Sequence, residues 1–343
     1  MKKTSIIALL VSGAILLTSC SMTKEIIAET WNTSEEAEIS IEETDTEEVI
    51  EKITESTTAD NTMEVDPSEV GSASYNFYDE YNCEPLEFND YEDYYDLVCF
   101  MLINNIELYE FTLYNPSYKV TEVQDIINNE MVLAYDNATL VLNSYTDMWS
   151  HFEVASVQTY DEQENIADVT YTFKLSSKSG IDNEQVRLQV EEAELLCEEL
   201  INEMYLDGRL ENSMSNNEKA YALYQWCGEN LSYQYETDSE SINDNFYQAI
   251  TTKTAVCQGI TGLYIHLCRL VDIPMYIQLG YTNDIAHSWC KVETTSGWLY
   301  IDPTWAITDA QSTETYSDTW FMVTQEFMET YPNNTRVFED SLL

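Results

Sequence analysis

Three side chains that together can perform nucleophilic catalysis occur in order in the second half of the chain: Cys257, His287 and Asp302. A thiolate is a strong nucleophile, an imidazole can act as general base and then general acid, and a carboxylate can orient the imidazole. If the fold brings the three together, they would support acyl transfer through a thioester. The elements that carry them must therefore place a sulfur, a ring and a carboxylate in contact.

Cys257 stands where a helix is predicted to begin. Apolar residues have helical spacing from Ile260 to Leu270, and Pro274 stops the pattern soon afterwards. Free N–H groups and the positive end of the helix dipole favour an anion at such a position. A thiol placed there loses its proton more easily. The alternative is that this cysteine only packs against its neighbours.

His287 and Asp302 lie on two predicted strands joined by a short turn at Thr294–Gly297. With a two- or four-residue turn, Trp289 faces Asp302 across the hairpin. His287 is two positions from Trp289 and therefore shares its face. Diagonal neighbours on one face are about 7–8 Å apart, whereas a slip of one residue would put them on opposite faces. This register predicts an imidazole beside a carboxylate.

These segments resemble the transglutaminase-like superfamily, in its bacterial papain-like form. The resemblance covers about Ser213 to Trp305 and lies in AVCQGITGLY, AHSWCKV and GWLYIDPTW, with EKAYALYQWCGENLSY before them. It implies that Cys257 is the nucleophile, His287 the general base and acid, and Asp302 the residue that orients His287.

The sequence departs from the family pattern at two positions near the triad. Ile260 occupies the position after Cys-x-Gly, where the family often has an aromatic residue. Cys290 occupies the position after His-x-Trp, where the family often has asparagine. An oxyanion hole needs the backbone N–H of Cys257 and a second donor, for which Gln248 is a candidate.

The resemblance implies an α+β fold over residues 181–343: a papain-like transglutaminase core in which the helix bearing the nucleophile packs on an antiparallel sheet. Residues 75–180 are predicted to form a small α+β domain of unknown function. Helices are predicted at Tyr91–Asn104, Val120–Ala134, Asn183–Met204 and Glu218–Glu229, the last with its N-cap in Ser213–Asn217. Strands are predicted at Ile106–Leu113, Ala138–Asn143, Phe152–Tyr160, Ala167–Leu175 and Met275–Leu279, and a loop at Glu236–Asn245.

Residues 1–20 have the features of a lipoprotein signal peptide. Lys2 and Lys3 precede an apolar run, Ile6–Leu17, which is too short for an ordinary membrane span. The run ends in Leu17-Thr18-Ser19-Cys20, which resembles the lipobox of bacterial lipoproteins. Cys20 is therefore predicted to carry the lipid that anchors the protein to the membrane, outside the cytoplasm. The alternative is an ordinary cleaved signal peptide.

Residues 21–74 are dominated by Glu, Asp, Thr and Ser, and are predicted to be a disordered acidic tether. A flexible chain of this length spans on the order of 40 Å. The net charge of −49 excludes nucleic acid as a favoured partner, because such a surface repels phosphates.

The other cysteines and histidines carry no clear signal for a metal or a cofactor. Seven cysteines besides Cys20 form no C-x-x-C pair, so a zinc site and a cofactor are not expected, and disulfides cannot be assigned. His151 is predicted at the surface or on an edge strand, and His266 as a surface or supporting group. Cys268 is predicted to be buried. Trp289, Trp298 and Trp305 are predicted to be core residues, although Trp289 could also line the cleft.

The predicted activity is hydrolysis of an amide in a protein or cell-wall peptide. The same triad would serve a transglutaminase that joins a lysine amine to the acyl group, so the motif does not decide between them. A non-catalytic binding module, or a tyrosine-rich domain that docks a partner, is the alternative from another class.

Overall fold

The computed structural model describes residues 9–13, 77, 81–114, 116, 119–149, 151–161, 163, 165–177, 181–235, 244–295, 297–307, 318–332 and 335–339. Cys20, which the sequence predicts to be lipidated, and the acidic segment 21–74 lie outside these residues. No helix in the described part combines the length and the apolar character needed to cross a bilayer.

The first part of the fold is a four-stranded antiparallel sheet with helices. Its elements are β1 (Leu9–Gly13), α1 (Tyr91–Ile103), β2 (Leu108–Tyr114), α2 (Val120–Ile126), a π-helical segment (Ile127–Met131), α3 (Val132–Val141), α4 (Asn143–Thr146), β3 (His151–Tyr160) and β4 (Ile166–Ser176). The strand order is β1-β3-β4-β2. Buried and less buried residues alternate along β3 and β4, as expected for strands with one face on a core.

One predicted strand in this part is wrong. Ala138–Asn143 was expected to be extended, but α3 continues to Val141 after the π-helical segment. Ala138 and Val141 are buried in this helix. Because a short apolar run can be a buried helix as well as a strand, periodicity alone does not separate the two. The other predicted helices and strands of this part are present, and their bounds agree within a few residues except that the helix predicted to end at Ala134 continues to Val141.

The backbone of β1 pairs with β3 at the edge of this sheet, with Leu9 opposite Ser156 and Gly13 opposite Phe152. This strand comes from the apolar run that the sequence predicts to be a signal peptide. An open sheet edge presents unpaired N–H and C=O groups, to which an apolar segment readily adds.

The second part contains the antiparallel sheet that positions the candidate site. Its elements are α5 (Asn183–Asp207), α6 (Asn216–Asn230), β5 (Ser232–Tyr233), α7 (Phe246–Thr252), β6 (Thr254–Ala255), α8 (Cys257–Arg269), β7 (Met275–Thr282), β8 (Ile285–Thr294), β9 (Gly297–Ile301), a 3-10 turn (Asp318–Trp320), α9 (Gln325–Thr330) and β10 (Arg336–Phe338). The strand order is β10-β7-β8-β9, and each neighbouring pair is antiparallel. The predicted α+β class is therefore confirmed.

Local sequence signals explain where the helices of this part begin and end. The Asp182 side chain accepts the Glu184 N–H at the start of α5, which ends at Gly208 in the left-handed region with φ of 83°. Ser215 and Glu218 form a capping box at the start of α6, within the N-cap region that the sequence predicts. Helix α7 was not predicted, and residues 236–243 of the predicted loop lie outside the described part.

Helix α8 is the centre of this part of the molecule. Every residue of the helix is buried except Gln258. The Tyr264 hydroxyl donates to the Ala220 carbonyl oxygen on α6 at 3.0 Å. The Thr261 hydroxyl donates to the Ser288 carbonyl oxygen on β8 at 3.1 Å. These buried bonds fix the helix against both its helical neighbour and the sheet.

Helix α8 also contacts the part of the chain that precedes residue 180. The Gln258 side-chain amide donates to Asp147 Oδ1 at 2.7 Å, just beyond α4. The predicted division into two domains at residue 180 stays a prediction.

Candidate active site

Cys257 is the first residue of α8, as the sequence predicts. It is 2 % exposed. Val256 occupies the N-cap in an extended conformation, with φ of −83° and ψ of 174°, and its side chain makes no capping hydrogen bond. An apolar N-cap leaves first-turn N–H groups to be satisfied by other acceptors. The local sequence therefore places the thiol beside donors that favour a negative charge.

The hairpin of β8 and β9 has the register that the sequence predicts. Thr294 pairs with Gly297 around the turn, and Cys290 pairs with Ile301 at the other end. One position beyond that last pair, Asp302 leaves the ladder and donates its backbone N–H to the Trp320 carbonyl oxygen at 2.9 Å. His287 therefore lies diagonally across the hairpin from Asp302.

The imidazole and the carboxylate meet directly. His287 Nε2 and Asp302 Oδ2 are 2.8 Å apart, and the two side chains are 8 % and 0 % exposed. Asp302 also precedes a helical turn at residues 303–307, where its Oδ1 accepts the Trp305 N–H at 3.4 Å. An aspartate in this position is a usual N-cap, so the local backbone helps to fix the carboxylate.

His287 also forms a side-chain hydrogen bond with Cys257. Burial lowers the pKa of His287, but Asp302 and then Cys257 outweigh this and raise the pKa to about 9. The ring is then protonated at neutral pH, and an imidazolium beside the sulfur favours the thiolate. The arrangement is suited to a thiolate–imidazolium pair held by a carboxylate.

A fourth charged residue, Arg336, was missed by the sequence reasoning. Its Nη2 lies 2.9 Å from Asp302 Oδ2, and both side chains are 0 % exposed. Although burial opposes ionisation of Asp302, His287 and Arg336 lower the pKa of this carboxyl. The sequence has only 14 basic residues, and Arg336 is one of them that stands next to apolar residues. This signal does not indicate that Asp302 is its partner.

The other predicted positions have mixed outcomes. His151 is exposed at the start of β3, as expected. His266 is buried, not at the surface. It packs against Tyr145 and Phe246, with ring centroids 5.7 and 4.9 Å away, and burial lowers its pKa to about 3. Helix α8 is enclosed on all sides, so it has no solvent-exposed face on which His266 could lie.

Gln248 uses its side-chain oxygen to accept the Asp244 N–H at 3.1 Å, and its role as oxyanion donor stays a prediction.

Two of the three tryptophan assignments agree with the fold. Trp289 is fully buried, with its ring centroid 5.8 Å from that of His287, so it packs beside the site. Trp305 is partly buried against the same aromatic core. Trp298 is not a core residue, since it is exposed near the start of β9, where the Lys291 ammonium lies over its ring at 4.8 Å from the centroid.

The cysteines of the described part are all free thiols. Cys83 is exposed and the other six are buried. Cys268 is buried on α8, as predicted, and burial raises its pKa to about 12. Cys290, which departs from the family pattern, is fully buried, and its pKa is raised well above the ordinary value, mainly by burial. Within the described residues, no three or more His, Cys, Asp or Glu side chains form a group that could hold a metal ion.

Comparison with known proteins agrees with the core that contains these residues. Residues 204–303 match the family model of the transglutaminase-like superfamily, and this segment includes Cys257, His287 and Asp302. No curated protein matches the chain significantly. The segment therefore contains a transglutaminase-like core.

Solved structures that resemble the chain include the following two. One is the periplasmic domain of TgpA from Pseudomonas aeruginosa bound to ethylmercury, at 16 % identity and a TM-score of 0.27, with 47 % of this chain and 74 % of that chain covered. The other is described as "a Putative Cysteine Protease from Cytophaga hutchinsonii", at 14 % identity and a TM-score of 0.26, with 58 % and 67 % covered. At these scores the likeness carries no argument about function.

Proposed function

We propose that this chain is an extracytoplasmic, lipid-anchored thiol acyl-transfer enzyme that hydrolyses amides in proteins or cell-wall peptides. Cys257 is its nucleophile, His287 its general base and acid, and Asp302 the residue that orients His287. The observation that carries the proposal is the buried chain of contacts from Cys257 to His287 and from His287 to Asp302 at 2.8 Å.

The chemistry follows from the charges in this chain. The Cys257 thiolate attacks the carbonyl carbon of the substrate, and the oxygen takes up the electron pair near the N–H groups that begin α8. Collapse of this adduct breaks the C–N bond, and the His287 imidazolium gives its proton to the leaving amine. Neutral His287 then removes a proton from water, which attacks the thioester and releases the acid and the thiolate. A placed histidine contributes roughly 10²–10⁴-fold in such proton transfers.

The second acceptor is the feature that separates hydrolysis from transamidation. Water and a lysine amine would attack the same thioester, and the triad serves both. A peptide substrate with an added primary amine therefore provides the test. Release of free acid alone supports the peptidase or amidase, whereas incorporation of the amine would identify a transglutaminase.

The lipid anchor is a proposal from the sequence around Cys20. Maturation of such a lipoprotein would also require hydrolysis of the Ser19–Cys20 peptide bond, which would remove residues 1–19 and with them β1, so that the mature protein would expose the β3 edge. Detergent partitioning and intact mass of the wild type and of Cys20→Ala provide the test. A wild-type protein that stays in the aqueous phase, with an unmodified N-terminus, would contradict this part of the proposal.

The activity of the thiol is tested first without a substrate. Iodoacetamide labelling at about pH 6 should modify Cys257 quickly, because an ordinary thiol with a pKa of about 8.5 is almost fully protonated there. A Cys83→Ser background removes the exposed thiol, and Cys257→Ala should lose both the fast labelling and peptide cleavage. Cys268→Ser, on the same helix, is the matched control and should retain both.

The proposed function is wrong if folded wild-type protein labels Cys257 at pH 6 no faster than an ordinary thiol and Cys257→Ala still cleaves peptides. If fast labelling is kept but candidate peptides bind without turnover, the binding-module alternative replaces the enzyme.

A further inference from the structure

We propose that Arg336 is a positioning residue of the active site, which holds the Asp302 carboxylate in place and sets the pH range over which His287 and Cys257 form their ion pair. This inference rests on the proposed function, because it concerns the same three residues.

The geometry places two donors on one oxygen. Asp302 Oδ2 accepts from His287 Nε2 at 2.8 Å and from Arg336 Nη2 at 2.9 Å. With both partners on Oδ2, rotation of the carboxylate would break two charged hydrogen bonds. Such bonds are roughly twice as strong as neutral ones, so Arg336 adds directly to the orientation of the carboxylate that holds the ring.

The guanidinium is itself held firmly. Arg336 begins β10, where it pairs with Thr282 of β7. Its guanidinium carbon lies over the rings of Trp320 and Trp305, 4.3 and 5.1 Å from their centroids. A planar guanidinium can stack on indole faces while donating in its own plane, which the ammonium of lysine cannot do. The two rings therefore restrict the arginine to one orientation, and that orientation reaches Asp302.

The charges give Arg336 a role beyond support. The titratable groups that act on Asp302 are His287 from β8 and Arg336 from β10, while Cys257 acts through its bond to His287 and the buried Cys290 thiol lies within the field of Asp302. With Arg336 present, the four groups Cys257, His287, Asp302 and Arg336 sum to zero in the thiolate–imidazolium state. Without it the site carries one net negative charge.

The sign of the effect follows from this balance. Removal of a buried positive charge makes every neighbouring group hold its proton more tightly. Loss of Arg336 therefore raises the pKa of Asp302, of His287 and of the thiol together. Arg336 therefore keeps the pKa of His287 lower than it would be with Asp302 alone. The imidazolium can then still release its proton to a leaving group.

The experiment compares Arg336→Met, which removes the charge, with Arg336→Lys, which keeps it. In the full chain with Cys83→Ser, the rate of Cys257 alkylation is measured against pH, and the His287 ring is titrated by NMR among only three histidines. We expect both inflections of the alkylation profile and the ring titration of Arg336→Met to move to higher pH by about one unit. Arg336→Lys should keep the wild-type midpoints of the alkylation profile and of the His287 titration. It should lower the kcat of peptide cleavage with little change in KM.

Arg269→Met provides the matched control. Arg269 is also buried, donates to the Met275 carbonyl oxygen and lies over the aromatic ring of Phe77, but the charged groups that lower the pKa of Asp302 are His287 and Arg336. It should lower thermal stability without moving the midpoints. Unchanged midpoints in Arg336→Met would overturn the inference, as would an equal shift in Arg269→Met.

Two further outcomes are distinguishable. If Arg336→Met does not fold, Arg336→Gln replaces it, with the same expected direction and the same contradicting result. If wild-type Cys257 shows no fast alkylation, the proposed function fails, whereas the His287 titration still decides whether Arg336 controls the charge of the site.

Discussion

Replacement of Asp302 by asparagine tests the central electrostatic claim about the site. The side chain keeps nearly the same shape but loses its charge, so His287 keeps a neutral partner within hydrogen-bonding reach. In the wild type the pKa of His287 rises from 6.5 to about 9, although burial alone lowers it. At about 1.4 kcal/mol per pH unit, the imidazolium is stabilised by roughly 3 kcal/mol. Because Asp302 is the largest favourable contribution, its removal should return the pKa to 6.5 or below.

The raised pKa of His287 also fixes the direction in which the free energy of unfolding changes with pH. A histidine whose pKa is raised by folding contributes stability that is fully present below its unfolded pKa of about 6.5 and is lost as pH rises through about 9. In a Cys257→Ala background, which removes the opposing titration of the thiol from this range, the free energy of unfolding should therefore fall by up to roughly 3 kcal/mol more with Asp302 in place than in Asp302→Asn between pH 6 and 10. The pKa of Asp302 is lowered, so its own linkage lies at acid pH, outside this window.

The assay is urea unfolding at several pH values, together with the pH profile of Cys257 alkylation. Asp302→Asn also leaves the Arg336 charge buried without its carboxylate, at a cost of about 3–5 kcal/mol that does not depend on pH in this range. The double variant Asp302→Asn/Arg336→Met removes that constant cost and should keep the flat pH dependence. The alkaline limb of alkylation should move from about pH 9 to below about 7 in both variants.

The reasoning is refuted if Cys257→Ala and Cys257→Ala/Asp302→Asn lose stability in parallel from pH 6 to 10, and if the alkylation profiles of the wild type and of Asp302→Asn have the same alkaline limb. The raised pKa of His287 would then not come from Asp302, and the carboxylate would be a structural cap of the turn at residues 303–307.

Three further predictions concern the surroundings of the triad. Gly280→Ala should destabilise the protein by about 1–3 kcal/mol in urea unfolding and slow Cys257 alkylation, because the added carbon would overlap the Val337 carbonyl oxygen and displace β10; retained stability would contradict the placement of this strand. Gln258→Ala should leave the Asp147 carboxylate without this donor, and lower the free energy of unfolding by about 1–3 kcal/mol; Gln124→Ala, which removes an exposed side-chain hydrogen bond to Asn128, is its control and should change little. Among the seven described cysteines, thiol counting with an uncharged reagent at pH 7 should find two that react in the folded protein: Cys83, which is exposed, and Cys257, which is buried but is proposed to be a thiolate beside His287. The other five, which are buried and lack such a partner in the proposed site, should react only after unfolding, and rapid reaction of any of them would contradict this prediction.

The sequence predicted the parts of the site that depend on local patterns. The start of α8 follows from helical spacing after Cys257, and the contact of His287 with Asp302 follows from period-two alternation and the length of one turn. Both relations extend over a single element or a single hairpin. The roles of the three residues came from resemblance to a family and remain to be tested by experiment.

Other contacts were beyond the reach of such patterns. The predicted strand at Ala138–Asn143 is helical because burial, rather than periodicity, decides the state of a short apolar run. His266 is buried because α8 is enclosed on all sides.

The order of Cys257, His287 and Asp302, the helix start and the hairpin register are determined by the sequence alone, since each is fixed by neighbours close along the chain. Only the tertiary structure brings Arg336 to Asp302 over 34 positions and Gln258 to Asp147 over 111. Local periodicity states which face of an element is buried, but the residue that meets that face depends on how distant elements pack. The charge that balances the buried carboxylate was therefore visible only in the fold.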